Sequence, residues 1–449
     1  MPKQLQSYPK NGDIRLTRRE FLWLASMSAA GVAIGCATNP VTGKSQLMLM
    51  SESQEIEVDK QYSPNQFSAD YGPSQDKALN DYLQQTGKKL SAQTHRPQMP
   101  YSFRAVNATY VNAYAFPGGS IAATRGILLS LESEAELAAL LGHELGHVNA
   151  RHTAEQMSKG TLTQLLVIGA AVAAGTQGKD WGQVAQIAGM IGGSALLAKY
   201  SRDNEREADA LGMEYMVRGE YSPQGMVELM DMLKGLSKEK AGISQALFAT
   251  HPMSMERYRT AVGRVQSSYV AARNYPIYRE RYMDMTADLR NMKGAIENMQ
   301  KAEVDLAKKK YPQAEDRLKR ALNQAPNDYA GLMMMSKCLL AQNKNGRAKQ
   351  FADKAKQVYP QEAQANLISG IAAIRLGRFD AAFNNFEQYE KRLPGNPSIA
   401  YLKGRSLEGM HRRQDAAEEY YRYLQIVNQG DPAKHAYQRL VQWGYIKPQ

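Results

Sequence analysis

The stretch SEAELAALLGHELGH, residues 133–147, determines the fold at the centre of this chain of 449 residues. Its leucines recur at the spacing of one helical face, and Ser133 with Glu136 forms the Ser-x-x-Glu pattern that caps a helix N-terminus. On such a helix His143 and His147 lie one turn apart on the same face. The spacing therefore predicts a capped helix that presents two imidazoles side by side.

Two neutral imidazoles at this spacing can bind one Zn²⁺ through a ring nitrogen each. Glu144 lies next to them, where a carboxylate can act as general base on a water at the metal. The alternative is a chance HExxH on a helix surface, which is improbable in a chain with seven histidines. We therefore predict one zinc ion per chain, with His143 and His147 as ligands and Glu144 as the catalytic base.

A catalytic zinc usually has a third protein ligand and one open position. His152 follows His147 by five residues instead of the six of the metzincin pattern, so we expect it beside the ligands or at the surface. Glu205 and Asp209 share one face of a later predicted helix, and Glu207 lies on another, predicted to be solvated. We predict that Glu205 completes the zinc shell and that Asp209 accepts a hydrogen bond from a liganding imidazole.

HExxH followed by Glu-x-x-Ala-Asp at 205–209 resembles the gluzincins related to the CAAX prenyl protease and to the bacterial heat-shock membrane protease HtpX. The segments CATNPVTG, NAYAFPGG and THP, at 36–43, 112–119 and 250–252, are also similar to segments of the periplasmic members. Members that end in tetratricopeptide repeats, the β-barrel assembly-enhancing (BepA-type) proteases, resemble the whole chain in order. The paired Arg18 and Arg19 of the leader are a departure from that pattern.

The resemblance implies a mainly α-helical fold: a zincin-like metallopeptidase domain with a small β-sheet, followed by a helical superhelix of tetratricopeptide repeats. It also implies an edge strand that receives an extended substrate, for which we expect residues 120–124. By resemblance, His251 is either a regulatory fourth ligand on the open side of the zinc or a loop histidine before a proline. Arg257 either stabilises a developing oxyanion in catalysis or forms a structural salt bridge.

The N-terminus has the pattern of an export signal. Residues 1–35 combine a basic start, with Arg18 and Arg19 resembling a twin-arginine signal, and an apolar run too short to cross a bilayer. Cys36 follows small residues, as at a lipoprotein processing site, and the alternative is an ordinary signal with a chance cysteine. We expect cleavage and lipidation at Cys36, a linker over 36–50, and a periplasmic protein anchored to the outer membrane.

An apolar stretch, residues 162–198, separates the two predicted zinc helices. We expect a hairpin of two helices rich in small residues. Insertion into a membrane surface and a lid over the site are the alternatives.

The C-terminal third repeats with a period of 34 residues. Three columns keep this step: Ala314, Ala348, Ala382 and Ala416; Pro326, Pro360 and Pro394; Leu306, Leu340 and Ile374. Paired helices of this period that end in proline are tetratricopeptide repeats, which stack into a superhelix with a concave binding face. We predict a catalytic domain over 51–272, a helical connector over 273–300 and repeats over 301–440.

The formal charge of +12 lies mostly in the repeats, since residues 301–449 contain 25 Lys and Arg against 15 Asp and Glu. No nucleic-acid-binding motif accompanies the charge, so we expect no nucleic acid partner. We expect unfolded or misassembled envelope proteins as substrates, the outer-membrane assembly machinery as a partner of the repeats, and membrane contact through the lipid. The rival hypotheses are a chaperone or adaptor with a plugged or structural zinc site, and a membrane-embedded prenyl-type protease.

Overall fold

The computed structural model describes residues 36–43, 45–159, 200–238 and 242–448. They fall into two compact units that divide between Gly331 and Leu332, and we call them the N-terminal unit and the C-terminal unit. The predicted signal peptide and the predicted apolar hairpin at 162–198 lie outside the described residues. Within the described ranges, no helix has both the length and the apolar character needed to cross a membrane.

Helices dominate the N-terminal unit, and short strands occur only in its first half among the described residues. The strands are β1 (Cys36–Thr38), β2 (Ser45–Leu47), β3 (Ser102–Val106), β4 (Ala113–Ala115) and β5 (Ser120–Thr124). The helices are α1 (Glu52–Ala69), α2 (Lys77–Ser91), α3 (Arg125–Ser130), α4 (Glu134–Asn149), α5 (Arg202–Arg218), α6 (Gln224–Lys238), α7 (Gln245–Thr250), α8 (Met255–Gln266), α9 (Arg279–Met285), α10 (Ala287–Asn291), α11 (Lys293–Ala307) and α12 (Tyr311–Gln324). Residues 152–159 are also helical.

The larger sheet has three strands in the order β3-β5-β4. Strand β5 runs parallel to β3, which places Ser102 opposite Ser120, and antiparallel to β4, which places Tyr114 opposite Ala122. The expectation that residues 120–124 form the edge strand is therefore wrong: they form a strand, but it is the central one, hydrogen-bonded on both sides. The edges of this sheet are β3 and β4.

Helix α4 contains the HExxH sequence, and every one of its residues is buried. The Ser133 hydroxyl accepts a hydrogen bond from the Glu136 backbone N–H, as the capping pattern predicts. The Glu136 carboxylate accepts a hydrogen bond from the backbone N–H of Glu132, the residue before the cap Ser133, at 3.1 Å. The start of the helix is thus fixed by side chains on both sides of its cap.

Small residues allow α4 and α5 to cross with their backbones in contact. A Cβ on Gly146 would lie 2.8 Å from the Ala208 carbonyl oxygen, and one on Gly142 would lie 2.9 Å from the Gly212 carbonyl oxygen. Any side chain at these two positions would push the helices apart. The crossing brings Glu205, three residues before Ala208, to the histidine face of α4.

The C-terminal unit is a series of antiparallel helix pairs, and its first helix starts just before the boundary. The helices are α13 (Tyr329–Ala341), α14 (Asn345–Val358), α15 (Gln364–Arg375), α16 (Phe379–Arg392), α17 (Pro397–Gly409), α18 (Arg413–Leu424) and α19 (Asp431–Gln442). The alanines at the 34-residue step are all fully buried between paired helices: Ala314, Ala348, Ala382 and Ala416. The prediction of a mainly helical fold with a small sheet and helical repeats is confirmed. The Cys338 thiol is buried in α13.

The first predicted repeat belongs to the N-terminal unit. Arg125 is the first residue of α3, directly after β5, and its guanidinium forms an ion pair with Asp328; the two side chains are only 3% and 5% exposed. Two hydrogen bonds add to this contact: the Thr109 hydroxyl donates to Glu303, and the Gln300 amide donates to the Thr109 carbonyl. Helix α11 and the segment directly after α12 are therefore held to the N-terminal unit by these polar contacts.

Replacing Arg125 by Met should destabilise the protein by about 3–5 kcal/mol, because it leaves the buried Asp328 carboxylate without its cation. Burial alone would raise the pKa of Asp328, but Arg125 holds it below its usual value. The change can be measured as a shift in the urea denaturation midpoint. Arg320→Met is the matched control, because Arg320 pairs with Asp316 at the surface; equal midpoints for the two variants would contradict this account.

Candidate metal centre

Four side chains from three parts of the N-terminal unit converge in its interior. His143 and His147 come from α4, Glu205 from α5 and His251 from the residue after α7, and all four are buried. One potential ligand atom from each lies within 4.8 Å of all the others. The Nε2 atoms of His143 and His147 are 3.1 Å apart, and Glu205 Oε1 lies 3.3 Å from His147 Nε2 and 3.1 Å from His251 Nδ1.

The donor set fits a divalent metal ion. Two imidazole nitrogens and a carboxylate oxygen facing one point are the ligands of a catalytic zinc site. Glu144 lies next to this point, with Oε1 3.9 Å from His251 Nε2. Its Oε2 is buried and has no hydrogen-bond partner among the described residues. A buried carboxylate oxygen without a partner is costly, so its position is explained if a polar group occupies the space between it and the histidines.

Asp209 and Arg257 surround the ligands with a second layer of polar contacts. Asp209 Oδ1 lies 3.0 Å from His143 Nδ1, which orients the His143 ring with Nε2 toward the cluster. The Arg257 guanidinium binds both Asp209 oxygens at 2.7 Å and also contacts Glu205 Oε2 at 2.5 Å. A further bond from Arg257 reaches the Pro252 carbonyl oxygen, next to His251.

These contacts give the Arg257 side chain a structural position. All three guanidinium nitrogens have partners in the ion-pair network, so of the two roles left open by the sequence the salt bridge is the one that the geometry favours. Arg257 neutralises part of the negative charge that Glu205 and Asp209 place in a buried region. Asp209 lies where the sequence predicted a partner for a liganding imidazole.

Two further rings contact His147: His152, for which the sequence left two positions open, and Tyr200, which it did not assign. The His147 Nδ1 atom is 2.9 Å from His152 Nδ1, and the Tyr200 ring stacks on the His147 imidazole with centroids 3.8 Å apart. Glu207, expected to be solvated, lies 3.4 Å from His152 Nε2. The spacing of His152 from the HExxH motif was the one available signal, and it left a surface position equally open.

The electrostatics favour a neutral imidazole and an ionised ligand carboxylate. Burial lowers the pKa of His147 well below its usual value, so its ring is neutral and able to bind a metal. Burial alone would raise the pKa of Glu205, but His251 and the liganding histidines hold it well below its usual value. Burial raises the pKa of Glu144, a shift that suits a group that must both accept and release a proton.

The comparisons with known proteins agree with this arrangement. Residues 77–265 match the profile of Peptidase family M48, and residues 305–371 and 369–434 match profiles of the tetratricopeptide repeat. The chain carries a metallopeptidase domain of family M48. The four convergent side chains and Glu144 all lie within the M48 domain, and the family uses a divalent metal.

The chain is similar to proteins from several bacteria. The beta-barrel assembly-enhancing protease of Yersinia pestis is 27% identical over 61% of this chain and 60% of its own length. The protein of that name from Escherichia coli is 26% identical over 72% of both chains. The metalloprotease YcaL of Escherichia coli is 30% identical over 37% of this chain and 63% of its own. The chain thus spans between about three fifths and three quarters of the length of these relatives.

Replacing Asp209 by Asn should weaken the binding of a divalent metal ion by about 10–100-fold, because the His143 ring loses a charged partner at Nδ1. A competition titration with a chromogenic chelator measures the affinity. Asp203→Asn provides the control, since Asp203 lies on the same helix but is exposed and pairs only with Arg206 among the contacts described for it. Identical affinities for wild type and the Asp209 variant would show that Asp209 does not position a ligand.

Proposed function

We propose that the chain is a zinc-dependent endopeptidase of the bacterial cell envelope that degrades misfolded or stalled outer-membrane proteins. The observation that carries the hydrolytic part is the convergence of His143, His147 and Glu205 beside Glu144 Oε2, a buried oxygen with no hydrogen-bond partner in the described part of the chain. The substrate class is supported by the relatives named beta-barrel assembly-enhancing protease. It is also supported by the repeats, which provide a surface for protein partners.

In this proposal His143, His147 and Glu205 hold the zinc, and Glu144 transfers protons. A zinc ion bound there would polarise the scissile carbonyl and make a water more acidic. Glu144 accepts a proton from the attacking water and delivers it to the leaving amine. Burial of Glu144 keeps bulk water from competing for its proton and raises its pKa toward the range in which such transfer is efficient.

Strand β4 is the edge where we propose that an extended substrate adds. It is one of the two edges of the three-stranded sheet and contacts α4, the helix that carries His143 and His147, so a strand paired to it would lie near that helix. Pairing through main-chain hydrogen bonds makes little demand on side chains, which suits an enzyme that reads unfolded chains.

The cellular setting completes the proposal. We infer export by the leader, lipidation at Cys36 and a periplasmic position at the outer membrane, with the repeats binding substrates or the outer-membrane assembly machinery. Support comes from the small residues before Cys36 and from the excess of basic residues in the repeats, which favours acidic partners.

Glu144→Gln should abolish casein cleavage, with a loss of at least about 10³-fold, and leave the zinc content unchanged. The amide has the size of the carboxylate but cannot accept the proton. Metal analysis and a fluorescent casein assay provide the two measurements. Glu132→Gln is the control, because Glu132 lies at the surface in front of the same helix and pairs with Arg279. Full activity of the Glu144 variant would show that the chain is not a peptidase of this mechanism.

His251 distinguishes the peptidase from the rival chaperone or adaptor with a plugged site. In the structure His251 Nδ1 is 3.3 Å from His143 Nε2, close enough to supply a fourth protein ligand. We propose that it restrains the site and moves away when substrate enters. His251→Ala should therefore retain zinc and cleave casein at an unchanged or higher rate. If His251→Ala loses its zinc and the wild type has no activity, the rival hypothesis is favoured, because a structural zinc needs four protein ligands.

A further inference from the structure

A series of polar contacts leads away from the metal centre, starting at Nδ1 of the ligand His147. His147 Nδ1 lies 2.9 Å from His152 Nδ1, and both rings are buried. Because His147 must keep a lone pair on Nε2 to bind a metal, its proton is on Nδ1 and it donates to His152. His152 then carries its own proton on Nε2.

The second ring nitrogen of His152 has a carboxylate to donate to. His152 Nε2 is 3.4 Å from Glu207 Oε2, and a carboxylate can only accept. The tautomers of the two rings are thus consistent with each other. His147 donates from Nδ1 to His152 Nδ1, and His152 donates from Nε2 to Glu207. A carboxylate at the end of such a chain makes the metal-facing nitrogen of His147 a better electron donor.

This series of polar contacts ends at the hairpin of β1 and β2. The Asn39 amide donates to Glu207 Oε1 at 3.3 Å, and the Asn39 side chain is buried. Its carbonyl oxygen accepts from the Val41 and Thr42 backbone N–H groups at 2.8 and 3.1 Å, which fixes its orientation within the loop between the strands. Three segments distant in sequence therefore meet behind one metal ligand.

We propose that His152 and Glu207 are positioning residues for His147, and that Asn39 of the N-terminal hairpin holds Glu207 in place. The proposal rests on the proposed function, since it assumes that His147 binds the metal. It extends that function in one respect: the residues directly after the predicted lipid attachment point at Cys36 are part of the metal site. The hairpin then sets the affinity of the site without contacting the metal.

Contacts on two sides hold the Glu207 carboxylate in place. Its side chain is 26% exposed, with Oε2 3.4 Å from His152 Nε2 and Oε1 3.3 Å from the Asn39 amide nitrogen. Holding the orientation of a buried imidazole requires only that the carboxylate stay at hydrogen-bond distance, and Asn39 provides that restraint from the other side.

The test is the zinc affinity of five variants of the full chain, measured by chelator competition. His152→Leu and Glu207→Ala should each weaken binding by about 10–100-fold, and Asn39→Ala by at least about threefold. His152→Gln should recover most of the affinity, because its amide can accept from His147 and donate to Glu207. Combining Asn39→Ala with His152→Leu should weaken binding no more than His152→Leu alone, because Asn39 acts through His152.

His95→Leu is the matched control, since His95 is hydrogen-bonded to the Tyr215 hydroxyl and lies outside the metal cluster. Thermal unfolding of each metal-free variant separates a loss of folding from a loss of affinity. Wild-type zinc affinity in His152→Leu, or additive losses in the double variant, would overturn the positioning proposal while leaving the peptidase intact. A wild-type chain that binds no zinc and cleaves nothing would instead overturn the proposed function itself.

Discussion

The metal centre depends on the close crossing of two helices. Gly142, Gly146 and Gly212 remove the side chains that would separate α4 from α5, and the backbones come into contact there. Only at that distance can a glutamate side chain from α5 reach two histidines on α4. The glycines within and before the HExxH sequence are therefore as necessary to the geometry as the ligands, although they take no part in the chemistry.

The crossing has an electrostatic cost, and the surrounding residues reduce it. Glu144, Glu205 and Asp209 are buried carboxylates within a small volume, and their mutual repulsion would oppose ionisation. Arg257 supplies a fixed positive charge to two of them. Because a guanidinium stays charged at every accessible pH, Arg257 offsets part of the negative charge of Glu205 and Asp209 whether or not a metal is bound. Among the described residues, no arginine or lysine forms an ion pair with Glu144, and this frees Glu144 for the role in proton transfer that we propose.

Local spacing in the sequence was enough to predict the helical repeats, the capped HExxH helix and the common helix face of Glu205 and Asp209, because each is a periodic pattern along one element. What could not be predicted depends on contacts between elements. The place of residues 120–124 in the centre of the sheet follows from the partner strands on both sides. The link from His147 to Asn39 joins positions more than a hundred residues apart, and the attachment of the first repeat joins Arg125 to Asp328. No spacing rule connects such residues.

Anomalous diffraction at the zinc absorption edge, on crystals of the purified protein, tests the central claim most directly. The account predicts one anomalous peak in the N-terminal unit, bonded to the Nε2 atoms of His143 and His147 and to a Glu205 oxygen at about 2.0–2.2 Å. A peak bonded to other residues, or a Glu205 side chain turned away from both histidines, would contradict it.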